Sequence, residues 1–433
     1  MSENSYKTFQ ITYFRQRMVI SNNSNDKVLI TGIGTVNPIG NNPNEFWNNL
    51  SNGTNGIDKV KSLEVDDLPV RIAGEVKEFS PEKYLDKKVA RRTGRFAQLG
   101  FAAAAQAIED SNMIINESNR DNIGVIIATS GDAFNMGPEW DKLTLQGANR
   151  VDPFIITRMG QHMAAARIGR EFGIRGPNTT INTACASGTD VFGHAYNIIK
   201  NGQASAMLVG GAEAMISRLS LASMGRLGAL SKNYQNPTKA SRPFDINRDG
   251  FILGEGAGIV LLESESSAKN RDAKVYAELL GMGWSFDAVD DTAPDANGQA
   301  LAITRALQHS NLNPNDIDYI NAHGTSTQFN DKTETQAIKI ALGEKKAYST
   351  PISSTKSMIG HLAAGAGGVE IIATILSMQN NFMPPTINYE NPDPECDLDV
   401  VPVNGREKEI NIALSNSFGL GGQNACLALQ KVK

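Results

Sequence analysis

Cys185 sits in "TACASG" (183–188), where a β-branched run (Thr179, Thr180, Ile181, Thr183) stops and a helical stretch, Val191 to Ile199, follows. A cysteine between a strand and a helix N-terminus lies near unpaired amides and the positive end of the helix dipole. That lowers its pKa, and the next amides can stabilise an oxyanion. Gly188, with Ala184, Ala186 and Ser187, leaves room there for a substrate carbonyl. The competing reading is a small buried residue that fills space, which suits Cys396 in "NPDPECDLD" and Cys426 in "GQNACLAL". Cys185 differs from both by its nucleophile-elbow position.

Of five histidines, His323 in "NAHGTSTQFND" (321–331) and His361 in "STKSMIGHLAAGAGG" (354–368) fall in glycine-rich turns after strands, where α/β folds expose functional side chains. Lys356 lies five residues before His361. A lysine beside two imidazoles disfavours their protonation and keeps them as neutral hydrogen-bonding groups. Glu334 is the candidate partner of that lysine; an ordinary surface ion pair is the alternative. His194, nine residues beyond Cys185, reads as packed, and His162 and His309 as structural. "SNSFGLGGQNA" (415–425) runs from a strand into a glycine loop that permits close backbone approach to a ligand. It lacks the Lys-Ser/Thr of a phosphate loop. Neither it nor "TGIGTV" (31–36) shows a dinucleotide fingerprint, so nucleotide binding is rejected.

The elements that must position these residues alternate along the chain. Strand candidates are the start of "KVLITGIGTVNPIG" (27–40), "NIGVIIATS" (122–130), "SAMLVGG" (205–211), "GIVLLES" (258–264), "DIDYINAHG" (316–324) and "NIALSNSFG" (411–419); helix candidates include 95–111 and 297–310. The alternation argues for a layered α/β fold. "AIEDSNM" (107–113) is echoed by "ALQHSNL" (306–312), each ahead of a strand that ends in a small-residue turn, which suggests two similar halves. With 433 residues there is room for two core-sized units. A net charge of −5 gives no overall attraction to nucleic acid or anionic membrane, and no apolar run reaches the ~18 residues of a membrane span. Three cysteines without paired spacing indicate neither disulfides nor a zinc site and fit a reducing, cytoplasmic compartment. Residues 1–26 carry Lys7, Arg15 and Arg17 with no acid between Asn4 and Asn25; they read as a disordered or processed extension, with organellar import as the alternative.

Cys185 in "TACASG", His323 in "NAHGTST", His361 in "STKSMIGH" and the closing "NSFGLGGQN" form a Cys-His-His set in an order that strongly resembles the β-ketoacyl-acyl-carrier-protein synthases of the thiolase superfamily, the KAS II-like condensing enzymes. "VGGAEA" (209–214), "SRPFDINRDGFILGEGAG" (241–258) and "PPTINYENPD" (384–393) extend the resemblance over about residues 27–433. It implies an α/β, duplicated thiolase-like fold, five-layered α-β-α-β-α with pseudo-twofold halves: 27–275 with the nucleophile and 276–433 with the histidines. It further implies decarboxylative condensation of an acyl-enzyme with malonyl-carrier protein. Cys185 would be the acyl acceptor, His323 and His361 the hydrogen-bond donors, and Lys356 with Glu334 a supporting pair. The amides of Cys185 and Leu420 would form the oxyanion hole, and Phe418 and Leu420 the gate. Thr292, Thr325 and Thr327 would hold the pantetheine arm, and Phe134 and Met136 would line the acyl pocket. Some members hold a monovalent cation, here near Asn330, Glu370 and Asn424. No cofactor is required, and the partners are acyl carrier protein and a second subunit, usually a homodimer, with a ketosynthase-like partner as the alternative. "DKKVARRTGR" (86–95) offers Lys87, Lys88, Arg91, Arg92 and Arg95 as a docking patch for an acidic carrier, against the plainer reading of a solvated charged helix.

Two departures bear on substrate. Leu420 stands where the family's gating loop usually has a second Phe, and Asp290 where members often carry His. Three readings follow: an elongating synthase of fatty-acid synthesis, a type II polyketide or polyene ketosynthase, and a non-catalytic chain-length-factor-like subunit. The last conflicts with the presence of Cys185, His323, His361 and Lys356.

Overall fold

The computed structural model describes residues 26–432, so the reading of the N-terminal extension falls, apart from Asp26, outside the described residues. Ten strands form one mixed sheet: β1 (Val28–Val36), β2 (Ile123–Ala128), β3 (Asn178–Ile181), β4 (Ala206–Glu213), β5 (Gly256–Ser264), β6 (Ala277–Phe286), β7 (Tyr319–Asn321), β8 (Ile352–Ser353), β9 (Ile412–Phe418) and β10 (Gln423–Lys431). Their order across the sheet is β8-β7-β9-β10-β6-β1-β5-β4-β2-β3. From the middle outward one half reads β1-β5-β4-β2-β3 and the other β6-β10-β9-β7-β8, the same path displaced by five strands. Directions repeat as well. In each half the inner two pairings are antiparallel and the outer two parallel. A short antiparallel pairing of β1 with β6, through Leu29 and Ile30, joins the halves.

The helices that bear on the site are α1 (Lys87–Arg91), α2 (Arg95–Ser111), α3 (Ser187–Lys200), α4 (Ala296–His309), α5 (Gln328–Leu342), α6 (Lys356–Ile359) and α7 (Ala366–Asn380). α2 has the bounds expected of 95–111 and stops at Asn112, whose left-handed φ of 53° terminates the ladder. α3 and α7 lie in the central layer. Val191 and Phe192 of α3 and Ile371 and Ile375 of α7 share one core with Val209 and Val260 from the first half and Leu427 and Leu429 from the second. A second core sets α2 (Phe96, Leu99, Ala103) on Val125, Leu208 and Ile259; a third sets α4 and α5 (Ile303, Ile338) on Ile320 and Leu414. Helix, sheet, helix, sheet and helix thus stack in five layers. α7 is buried without a break from Ala366 to Met378, as a helix enclosed on all sides requires. Each fully buried Phe, Leu or Ile in these cores contributes roughly 1.5–3 kcal/mol.

Candidate active site

Cys185 occupies the turn between β3 and α3. Ala184 just before it has φ 49°, a left-handed conformation that a residue with a Cβ adopts at a cost of roughly 1–3 kcal/mol. The turn is closed by Ala186 N–H to Thr183 O (3.1 Å), Thr183 N–H to Ser187 Oγ (2.7 Å) and the Ser187 hydroxyl to Ala184 O (2.5 Å). Such a sharp strand-to-helix turn sets the half-buried Cys185 side chain at the helix N-terminus. Gly188 serves a purpose other than the expected gap for a substrate carbonyl. A Cβ there would stand 2.7 Å from Ala364 O and 2.8 Å from Gly367 N, and one on Gly367 would stand 2.4 Å from Thr189 N. The small residues let the N-termini of α3 and α7 touch backbone to backbone. This contact brings the elbow of one half against the catalytic turns of the other.

Those turns follow β7 and β8. His323 and His361 are buried, with rings 5.3 Å apart and nearly perpendicular. His361 Nδ1 accepts the Ala363 N–H at 3.2 Å, and His323 Nδ1 lies 3.4 Å from Lys356 Nζ, which can only donate. Both neutral rings therefore carry their proton on Nε2. Burial first, then the Lys356 charge, holds both imidazoles well below their ordinary pKa; His361 lowers His323 further. Phe418 stands edge-on to His323 at 5.7 Å and Phe251 edge-on to His361 at 5.3 Å. Backbone donors at Leu420 and Cys185 and the Lys356 charge favour the Cys185 thiolate, and a Cβ added at Gly419 would stand 2.8 Å from Thr183 O. The thiol is nonetheless pushed up by burial, which outweighs those amides and the nearby Lys356 charge. The lowered pKa expected from the helix terminus alone is reversed because the sulfur is enclosed as well as polarised.

Lys356 does not pair with Glu334. Its ammonium is bonded to Glu370, in the second turn of α7, and both side chains are buried. Glu334 instead takes the His323 N–H and the Gly324 N–H, each at 2.8 Å, and Asn416 Nδ2 at 3.2 Å. Burial raises its carboxyl to about 7 against the pull of those donors. Asp331, one turn earlier on α5, takes the Thr325, Ser326 and Phe244 amides, so two carboxylates hold the His323–Ser326 turn by its backbone. Sequence reasoning misses Asp331 and gives Glu370 a different role. A lone acid in the apolar run "AGGVEIIATIL" is the signal available, since a charge in a buried helix needs a partner.

The remaining expected residues divide. Thr325 and Thr327 meet at 2.9 Å beside His323, whereas Thr292 is exposed and bonds Asp290. Its loop is tied to the glycine loop by Gly421 N–H to Asp291 O (3.0 Å) and Asp287 N–H to Gly422 O (2.9 Å). Phe134 packs in one apolar cluster with Phe251, whereas Met136 is 45% exposed. Leu420 is 54% exposed and Phe418 buried. Lys87, Lys88, Arg91, Arg92 and Arg95 are exposed, with Arg92 stacked 4.2 Å over Phe154 and Arg95 forked onto Glu255 by two 2.6 Å bonds. Asn330, Glu370 and Asn424 fall into three separate networks rather than one cation site. Asn330 bonds Asp331, Glu370 bonds Lys356, and Asn424 bonds Ser285 and Asp287. His194 and His309 have structural partners in Asp190 and the Met282 amide.

The sequence matches the model of the β-ketoacyl synthase N-terminal domain over residues 25–268 and that of the C-terminal domain over 276–390. The chain belongs to the β-ketoacyl synthase family. This synthase is 45% identical over 415 residues to the "3-oxoacyl-[acyl-carrier-protein] synthase 2" of Synechocystis sp., covering 95% of this chain and 100% of the relative. It is 42% identical over 410 residues to the protein of the same description from Staphylococcus aureus, with coverages of 94% and 99%. Among solved structures it is similar to "The ishigamide ketosynthase/chain length factor" (TM-score 0.88, 33% identity) and to a type II polyketide ketosynthase in complex with its acyl-carrier protein (0.84, 35%). Each match covers 94% of this chain and 100% of the other. The synthase is a KAS II-type condensing enzyme of the thiolase superfamily, which performs Claisen condensation in acyl-chain extension. Membership implies no classical cofactor. Among the described residues no helix is long and apolar enough to cross a membrane.

Proposed function

We propose that the synthase extends acyl chains carried on acyl carrier protein in type II fatty-acid synthesis, with the two histidine turns generating the nucleophilic carbanion and Cys185 holding the acceptor. The observation that carries this reading is the pair of neutral, Nε2-protonated imidazoles in turns packed against the strand-to-helix elbow that carries Cys185. Cys185 attacks the carrier thioester; a C–S bond forms, the carrier sulfur leaves, and the cysteine's proton ends on the carrier thiol. The Cys185 and Leu420 amides bear the oxyanion. Malonyl-carrier protein then loses CO₂ while His323 and His361 donate to its thioester oxygen, where enolate charge grows. The carbanion attacks the acyl-Cys185 carbonyl, and the cysteine leaves and recovers a proton. Lys356, held in place by its ion pair with Glu370, is a positioning residue whose charge keeps the imidazoles uncharged; Glu334 fixes the His323 turn. Thr325 and Thr327 line the pantetheine path and Phe134 the acyl pocket, while Lys87, Lys88 and Arg91 receive the carrier.

The chain divides at 275/276, and two copies assemble. Supporting the dimer are the exposed edge strand β3 and the exposed apolar side chains of Met136, Trp140, Leu143, Leu145 and Ile156. Glu370 Oε2, Asn321 Oδ1 and Ser415 Oγ are buried without a hydrogen-bond partner and are hard oxygens of the type a monovalent cation takes. One observation favours a polyketide substrate instead: Leu420 fills less of the channel than a phenylalanine. The test is intact-mass analysis of the wild type and Cys185→Ala after exposure to a panel of acyl-carrier primers. An acyl adduct confined to the wild type is expected, and its chain-length profile decides the pathway; an adduct on Cys185→Ala refutes the assignment.

A further inference from the structure

Asp190, one turn into α3, is 7% exposed and has two side-chain neighbours, Thr183 and His194. The Thr183 hydroxyl donates to Oδ2 at 2.9 Å, and His194 Nε2 stands 3.3 Å from Oδ1. The Thr183 contact is a hydrogen bond to the carboxylate, and the His194 contact is at ion-pair distance. The half-exposed His194 ring lies against Trp284, with centroids 5.0 Å apart. Trp284 can settle on the helix because residue 193 is glycine; a Cβ there would strike its ring at 2.3 Å. Thr183 is where the elbow begins. Its carbonyl takes the Ala186 amide, its own amide bonds Ser187, and it bridges to Cys185. The left-handed Ala184 between them stays in place only while both ends of the turn are held. Ser187 holds the turn through its backbone, and Asp190 fastens the strand end to the helix.

We propose that Thr183, Asp190 and His194 form a positioning chain that fixes the Cys185 elbow and so sets the rate of acyl loading, without acting on malonyl decarboxylation. This rests on Cys185 being the acyl acceptor. The test uses full-length protein, Thr183→Val, Thr183→Ser and His194→Ala, and three readouts. These are Cys185 alkylation by iodoacetamide, Cys185 acylation by a small octanoyl thioester, and CO₂ release from malonyl-carrier protein. Thr183→Val should slow both cysteine reactions about tenfold, the loss of one hydrogen bond to a charged acceptor, with Thr183→Ser restoring them to within about twofold. His194→Ala, at a half-exposed position that folding tolerates, should slow them about threefold. CO₂ release should stay at the wild-type rate in all three. Wild-type alkylation in both Thr183→Val and His194→Ala overturns the proposal, and so does an equal loss in cysteine reactivity and CO₂ release. Failure of the underlying reading looks different: the wild type itself would then alkylate at Cys185 but take no acyl group there.

Discussion

Glu334→Gln tests how the His323 turn is held. The wild-type carboxylate receives three N–H groups, two from the backbone at His323 and Gly324 and one from Asn416. Glutamine keeps the shape but offers one acceptor oxygen, and its amide nitrogen confronts at least one N–H. A buried donor left without an acceptor costs about 1–3 kcal/mol. Because two of the donors belong to the turn that carries His323, the turn shifts rather than the helix, and His323 loses its aim at the thioester oxygen. If the cost appears wholly in that step, decarboxylation slows about 5- to 150-fold, at 1.36 kcal/mol per tenfold. Acyl loading of Cys185, built on β3 and α3, should change less than about twofold. Release of CO₂ from malonyl-carrier protein and intact-mass detection of acyl-Cys185 measure the two steps separately, with thermal unfolding as a check on global stability. Equal losses in both steps, or a Glu334→Gln variant that decarboxylates and unfolds like the wild type, would refute this account.

The other predictions follow from the same network. Both imidazoles titrate below their ordinary value, and the reaction needs them neutral, so decarboxylation should hold as pH falls through the usual histidine range and fail only below it. Removing the opposing charge in Lys356→Met should move that acid limb to higher pH, measured by a pH profile of CO₂ release; an unmoved limb would count against Lys356. Leu420→Phe should shift the acyl-length profile toward shorter chains in a competition of carrier-bound primers, and an unchanged profile would exclude a gating role. Lys87→Glu with Arg91→Glu should raise KM for carrier-bound substrates about tenfold and leave small thioesters untouched, whereas equal effects would remove the docking patch.

Much of the scaffold is legible because α2 and the long strands carry their own periodicity, and Cys185, His323 and His361 lie in turns whose glycines announce them. The duplication is barely visible. "AIEDSNM" and "ALQHSNL" retain a trace of it, while strand order and direction retain all of it. Hydrogen-bond topology tolerates replacement of nearly every side chain, so likeness fades from the sequence first. Partner choice is illegible for another reason. Glu334 and Glu370 are both acids downstream of catalytic turns, and only the packing of α7 against the site decides which one meets Lys356. Gly188 misleads in the same way, because open space and close backbone contact call for the same residue.

The repeated strand path also divides chemical labour. β3 and β8 are equivalent edge strands, and each leads into a central helix: β3 through Cys185 into α3, β8 through Lys356 and His361 toward α7. One descendant of the ancestral turn carries the electrophile's anchor and the other the machinery that unmasks the donor. The two turns meet where Gly188 lies against Ala364 and Gly367, and each keeps its own chemistry on its own side of that contact. A lineage can therefore change which starter it accepts while leaving the extender chemistry intact.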